Sequence, residues 1–113
     1  MTTDVAAVVW TVERPKIVGY LLNAAHTDGA SKAKYLLALG YKVETPEQLA
    51  DDLVSHAFAH WPGRRVLPAI GRARLIFEGP VQAPDGRYAS LRSVWEETAP
   101  GQMRFLTAYP WKP

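Results

Sequence analysis

Apolar positions along this 113-residue chain follow two different periods, and the change falls near residue 64. Upstream the spacing is helical. Ile17, Val18, Leu21 and Leu22 form one apolar face, which predicts a helix opening at Pro15 and fraying by Asn23. Ala33, Leu36 and Leu37 make the inward stripe of a second helix that Gly40 closes, with Lys32 and Lys34 on its opposite flanks. Thr27 or Asp28 is placed to cap its first turn. Thr45-Pro46-Glu47-Gln48 then reads as an N-cap, a first-turn proline and a capping-box glutamine. Leu49, Ala50, Leu53, Val54, Ala57, Phe58 and Trp61 continue that third helix until Pro62-Gly63 stops it.

Downstream the period is two. Strands are expected over 71–79, 87–97 and 103–109, separated by the turn sequences Ala83-Pro84-Asp85-Gly86 and Thr98-Ala99-Pro100-Gly101. Near the start, the β-prone run Val8-Val9-Trp10-Thr11-Val12 adds a strand or packs as an arm. The expected fold is α+β: three N-terminal helices packed on a C-terminal antiparallel meander of three or four strands, in a single domain over residues 1–113.

Composition narrows the class. The chain is 48 % hydrophobic and 21 % charged, the balance of a chain with one real core rather than of a disordered one. It has no apolar run near the ~20 residues of a membrane helix and no basic region followed by an apolar stretch at its start, so the expectation is a cytoplasmic protein without a membrane partner. Absence of cysteine removes disulfides, thiolate nucleophiles and cysteine zinc sites. The net charge of +2 is unevenly spread. Residues 1–60 carry 5 Lys/Arg against 7 Asp/Glu, and residues 61–113 carry 8 against 4, so the back half is the part suited to a polyanion.

Two groups of residues can carry chemistry. His26 lies in a polar loop just ahead of a helix N-terminus, where backbone N–H groups favour an anion, and Lys32 and Lys34 follow it. On the strands, Arg72, Arg74, Arg92, Thr107 and Tyr109 form a second half-site, in which Arg92 can hold a phosphate bidentately and Thr107 or Tyr109 can donate to it. Whether strand register brings these groups together is open at this point, because a slip of one residue turns them apart. His56 and His60 have metal-chelating spacing, but no glutamate follows His56 as a zincin motif requires, and both are read as edge histidines of the third helix without a metal. The chain also lacks a P-loop, a dinucleotide fingerprint and a nucleophile elbow.

Taken in order, Lys16-Ile17-Val18-Gly19-Tyr20-Leu21-Leu22-Asn23, His26-Thr27-Asp28-Gly29, Ser31-Lys32-Ala33-Lys34-Tyr35-Leu36 and Leu39-Gly40-Tyr41 resemble an uncharacterised bacterial domain family. Gly79-Pro80, Pro84-Asp85-Gly86-Arg87, Arg92-Ser93-Val94-Trp95 and Leu106-Thr107-Ala108-Tyr109-Pro110 extend the resemblance over about residues 14 to 110. Domains of this kind occur in polymorphic toxins, in phage head proteins and as small genes beside antitoxins, and their layout is similar to the barnase–EndoU–colicin–RelE group of metal-independent ribonucleases. The resemblance implies an endoribonuclease toxin acting on tRNA or mRNA, with a cognate antitoxin or immunity protein as partner. RNA supplies its own 2′-OH nucleophile, so no cofactor or metal is called for. His26, Lys34, Arg92, Thr107 and Tyr109 are the catalytic candidates it implies, with Lys32 binding substrate; Arg72 and Arg74, read from the strand half-site alone, are the further substrate-binding candidates. Ala25 stands where an acidic or polar residue is more common, and Tyr35-Leu36 where the family has an aromatic pair. The competing expectation is a non-catalytic interaction module (an antitoxin, immunity or phage adaptor protein) anchored through Trp10, Trp61 or Trp111.

Overall fold

A computed structural model describes residues 4–27 and 29–112. After a 3-10 turn at Val5–Ala7 come strand β1 (Val9–Thr11), helix α1 (Arg14–Lys16), helix α2 (Ala30–Ala38) and helix α3 (Pro46–Ala59). Strands β2 (Arg64–Val66), β3 (Arg74–Gln82), β4 (Tyr88–Ala99) and β5 (Gln102–Pro110) complete the order. All five strands join one sheet in the order β1-β5-β4-β3-β2.

This corrects the expected meander. The sheet is mixed and has five strands, and the helices lie between β1 and the rest rather than at the N-terminus. The Val8–Val12 run supplies the difference: Val9–Thr11 pairs parallel with Gln102–Arg104, so the first strand of the chain lies beside the last. Arg64–Val66 adds an antiparallel edge on β3, directly after the helix it follows. The period of two told of β3, β4 and β5, but a three-residue strand is too short to show a period.

The first helix also departs from expectation. Pro15 sits in its first turn, yet the α-helical part ends at Lys16 and continues as a π-turn over Ile17–Leu21, closed by a bond from the Leu22 N–H to the Ile17 carbonyl at 2.8 Å. Ile17, Leu21 and Leu22 are buried, so the apolar face survives the change of winding. Gly29, which has no side chain to cap with, occupies the N-cap of α2 where the sequence predicts Thr27 or Asp28; Asp28 itself lies outside the described residues. At α3 Thr45 and Pro46 take the positions expected of them, but no side chain caps the helix.

The helices cover one face of the sheet. Leu49, Leu53 and Ala57 of α3, Leu36 of α2, and Ile17 and Leu21 meet Leu75, Phe77, Trp95, Met103 and Phe105 from the strands, all at 5 % exposure or less. Trp10 closes this layer with edge-on contacts to Trp95, Phe77 and Trp61 at 5.0, 5.9 and 6.0 Å between ring centres. Trp10 and Trp61 are half-buried and pack against the core. Phe58 of the predicted α3 stripe is half exposed.

His56 is not an edge residue. It is 1 % exposed, with Nδ1 2.9 Å from Ser93 Oγ and Nε2 3.0 Å from the carbonyls of Gly79 and Leu91. Trp95 Nε1 donates to the same Ser93 oxygen at 3.1 Å. With the proton on Nε2, a neutral ring satisfies every partner: Nε2–H donates to a carbonyl and Nδ1 accepts from the serine hydroxyl. Gly79 makes room for the neighbouring His60 ring, whose Cε1 would stand 2.3 Å from a Cβ there and whose centre lies 4.8 Å from that of His56. Burial lowers the His56 pKa from its usual 6.5. The unfolded ring takes up a proton where the folded one does not, so stability is fully present above pH 6.5 and declines as pH falls through the folded value. Thermal melts at about pH 7 and about pH 5 check this: the wild type is expected to lose more stability on acidification than a His56→Gln variant, and equal losses would refute the assignment.

Candidate functional site

The strand half of the site depends on a bulge. Arg92 of β4 pairs in register with Glu78 of β3 and with Tyr109 of β5, and Val94 with Thr107. The register between β4 and β5 then shifts, so that Trp95 faces Phe105. One extra residue on β5 reverses the alternation of its side chains. Met103 and Phe105 point into the core, while Thr107 and Tyr109 stand on the opposite, half-exposed face beside Arg92. Strict period two from Met103 would have put all four on one side.

The helical half arrives at the unpaired end of β5. Strand β1 covers only Gln102–Arg104, and beyond it Tyr20 of the π-turn and Lys32 of α2 reach the strand. Tyr20 Oη lies 3.0 Å from Thr107 Oγ1 and accepts from Lys32 Nζ at 2.5 Å. Lys32 Nζ is also 6.0 Å from the centre of the Tyr109 ring. Tyr109 Oη accepts from Arg92 Nη1 at 3.4 Å, and the guanidinium lies 5.6 Å from the Tyr109 ring centre. On its far side Arg92 donates through Nη2 and Nε to Glu78 Oε2 at 2.6 and 3.1 Å.

His26 joins from the loop before α2. Its ring stands edge-on to Tyr20 at 5.0 Å, and its Nδ1 accepts from the Gly29 N–H at 3.0 Å. An imidazole that accepts at Nδ1 holds its neutral-form proton on Nε2, so in this state the ring presents a donor rather than a base. The loop fits only because position 29 is glycine: a Cβ would lie 2.7 Å from the Tyr20 carbonyl oxygen and 2.9 Å from its ring. Gly29→Ala is therefore expected to cost about 1–3 kcal/mol by overpacking and to displace Tyr20 and His26. A thermal melt together with the His26 proton shifts checks it, and an unperturbed His26 environment would refute the close fit.

Of the candidates read from the sequence, His26, Lys32, Arg92, Thr107 and Tyr109 fall into one connected set of contacts. Lys34 does not join them; it is exposed two residues beyond Lys32, across the helix. Arg72 is exposed before β3 begins, and Arg74 opens that strand four residues from Glu78, roughly 13 Å away along it. Two residues enter that sequence reasoning passed over. Glu78 was an ordinary outward strand position, and only pairing with Arg92 reveals its effect. Tyr20 carried a visible signal, being the one hydroxyl-bearing ring on the flank of the first apolar stripe.

Electrostatics follow these contacts. Hydrogen bonding from Arg92 lowers the Glu78 pKa, and hydrogen bonds to Tyr109 and Glu78 raise that of Arg92, so the pair stays charged. Glu78 neutralises Arg92 and leaves Lys32 as the cation at the centre of the site. Burial raises the Tyr20 pKa, but hydrogen bonds from Lys32 and Thr107 and the charges of Lys32 and Lys16 outweigh it, and the net shift from 10.0 is downward. Among the described residues no group of three or more His, Asp or Glu side chains is placed to hold a metal ion, and no helix is long and apolar enough to cross a membrane.

This fold, an α-covered mixed sheet, is similar to a chain of the contact-dependent growth inhibition toxin–immunity protein complex from Klebsiella pneumoniae 342. The TM-score is 0.69 at 18 % identity, covering 89 % of this chain and 99 % of that one; at this identity the likeness concerns the fold. The chain belongs to the DUF6883 family, a domain of unknown function, matched over residues 4–112. A search of curated proteins gave no match.

Proposed function

We propose that this protein is the toxin of a toxin–immunity pair and cleaves RNA without a metal, at the site formed by His26, Lys32, Arg92, Thr107 and Tyr109. The observation that carries the reading is the unbroken run of contacts from His26 through Tyr20, Lys32 and Tyr109 to Arg92, which gathers donors and cations from five separate segments of the chain at one open strand end. A phosphodiester there would meet the Lys32 ammonium and the Thr107 and Tyr109 hydroxyls, with the His26 ring beside Tyr20. These are the groups that stabilise the extra negative charge of a phosphorane-like transition state. Because the 2′-OH of RNA attacks its own phosphate, the protein need only move protons and hold charge. Likeness in fold to a chain of a toxin–immunity complex supports the biological setting.

The test is cleavage of RNA in EDTA by the wild type, His26→Ala and Arg92→Ala. Wild-type cleavage with both variants impaired is expected; equal activity in all three would contradict the site. Induction in cells without a partner is expected to arrest growth, and His26→Ala to restore it. A non-catalytic binding module draws support from one feature, the β2–β3 loop, where Leu67 and Ile70 are 70 % and 91 % exposed. It predicts intact RNA and no growth arrest.

A further inference from the structure

We propose that Tyr20 and Lys32 are the proton-transfer pair of this site, with Tyr20 receiving the 2′-hydroxyl proton and Lys32 protonating the departing 5′-oxygen. The inference rests on the RNA-cleaving reading and assigns within it the step that His26 does not perform. In the arrangement described above, the Nδ1 lone pair of His26 is taken up by the Gly29 N–H and Nε2 bears the proton, so a base must be found elsewhere. Tyr20 is the hydroxyl placed for it. Its oxygen is half-buried between the Lys32 ammonium at 2.5 Å and the Thr107 hydroxyl at 3.0 Å, and Lys16 Nζ stands 5.8 Å from its ring centre. Two cations and a hydroxyl stabilise the phenolate form, while the His26 ring packs edge-on and adds no negative charge in its neutral form. The downward shift of the Tyr20 pKa is the electrostatic counterpart of this geometry.

The step closes without an external reagent. The 2′-OH proton passes to the Tyr20 phenolate as O2′ bonds to phosphorus. The P–O5′ bond breaks, and an ammonium proton of Lys32 goes to O5′, leaving a 2′,3′-cyclic phosphate and a free 5′-hydroxyl. The new Tyr20 O–H then returns its proton to the Lys32 amine across their direct hydrogen bond, which restores the starting pair. Thr107 holds the Tyr20 oxygen in place throughout.

The experiment is steady-state RNA cleavage in EDTA by the wild type, Tyr20→Phe, Lys32→Met and His26→Ala, joined to a pH titration of tyrosinate absorbance. Tyr20→Phe keeps the ring and is expected to lower kcat about 100-fold or more with KM little changed, the scale of a lost general base. One tyrosine is expected to ionise below the usual 10.0 in the wild type, to vanish in Tyr20→Phe and to move upward in Lys32→Met. Should Tyr20→Phe retain wild-type kcat while His26→Ala is impaired, the pair is overturned and the RNA-cleaving site stands. A wild type that cleaves no RNA overturns both.

Discussion

Trp95→Ala is expected to lose about 3–5 kcal/mol of folding stability, a large share of the 5–15 kcal/mol that holds a domain of this kind together. The indole is fully buried at the centre of the sheet, with ring centres of Trp10 and Phe105 at 5.0 and 5.3 Å. Removing it leaves a cavity beneath the helical layer and breaks both edge-on contacts. It also takes away the Nε1–H that donates to Ser93 Oγ, so the buried hydrogen-bond network around His56 loses one donor. Urea unfolding followed by fluorescence of the remaining tryptophans measures the loss. A change below about 1 kcal/mol, the level of an ordinary surface substitution, would mean that Trp95 does not anchor the core.

Lys32→Ala is expected to reduce RNA cleavage about 10²–10³-fold, while Lys34→Ala remains close to the wild type. The two lysines are equivalent in charge and nearly so in sequence position. They differ in which side of α2 carries them: Lys32 reaches Tyr20 Oη and the Tyr109 ring, and Lys34 is exposed across the helix. With Arg92 neutralised by Glu78, Lys32 is the cation in direct contact with the Tyr20 hydroxyl and has no carboxylate partner among the described residues, and losing a preorganised donor at developing charge has an effect of this size. Rates for both variants on one RNA substrate in EDTA decide the matter. Comparable losses at the two positions would show that net positive charge, rather than placement, is what the reaction uses.

How far the sequence reveals the fold follows from how each element is specified. Long α3 and the three long strands announce themselves because their period repeats over many residues. Val9–Thr11 and Arg64–Val66 are each three residues long, and Val9–Thr11 draws its pairing from a strand remote in sequence, so local pattern leaves the sheet's order and its parallel edge undetermined. His56 illustrates a different limit. Its position near the margin of an apolar stripe says nothing about the Gly79 and Leu91 carbonyls and the Ser93 hydroxyl that make its burial tolerable. At the site, residue types were legible and geometry was not. Thr107 and Tyr109 share a face with Arg92 because of the bulge after Thr107's partner Val94, and a bulge leaves no periodic trace. Glu78 changes what Arg92 can do, since a guanidinium held by a carboxylate positions Tyr109 more than it grips a phosphate.

Binding of a 2′-O-methylated RNA oligonucleotide, which cannot cleave itself, followed by NMR at the His26 imidazole and the Arg92 guanidinium, probes the unity of the site. Both signals are expected to shift along a single binding curve, accompanied by those of Lys32 and Tyr109. Separate affinities at the two groups, or no response from either, would contradict it.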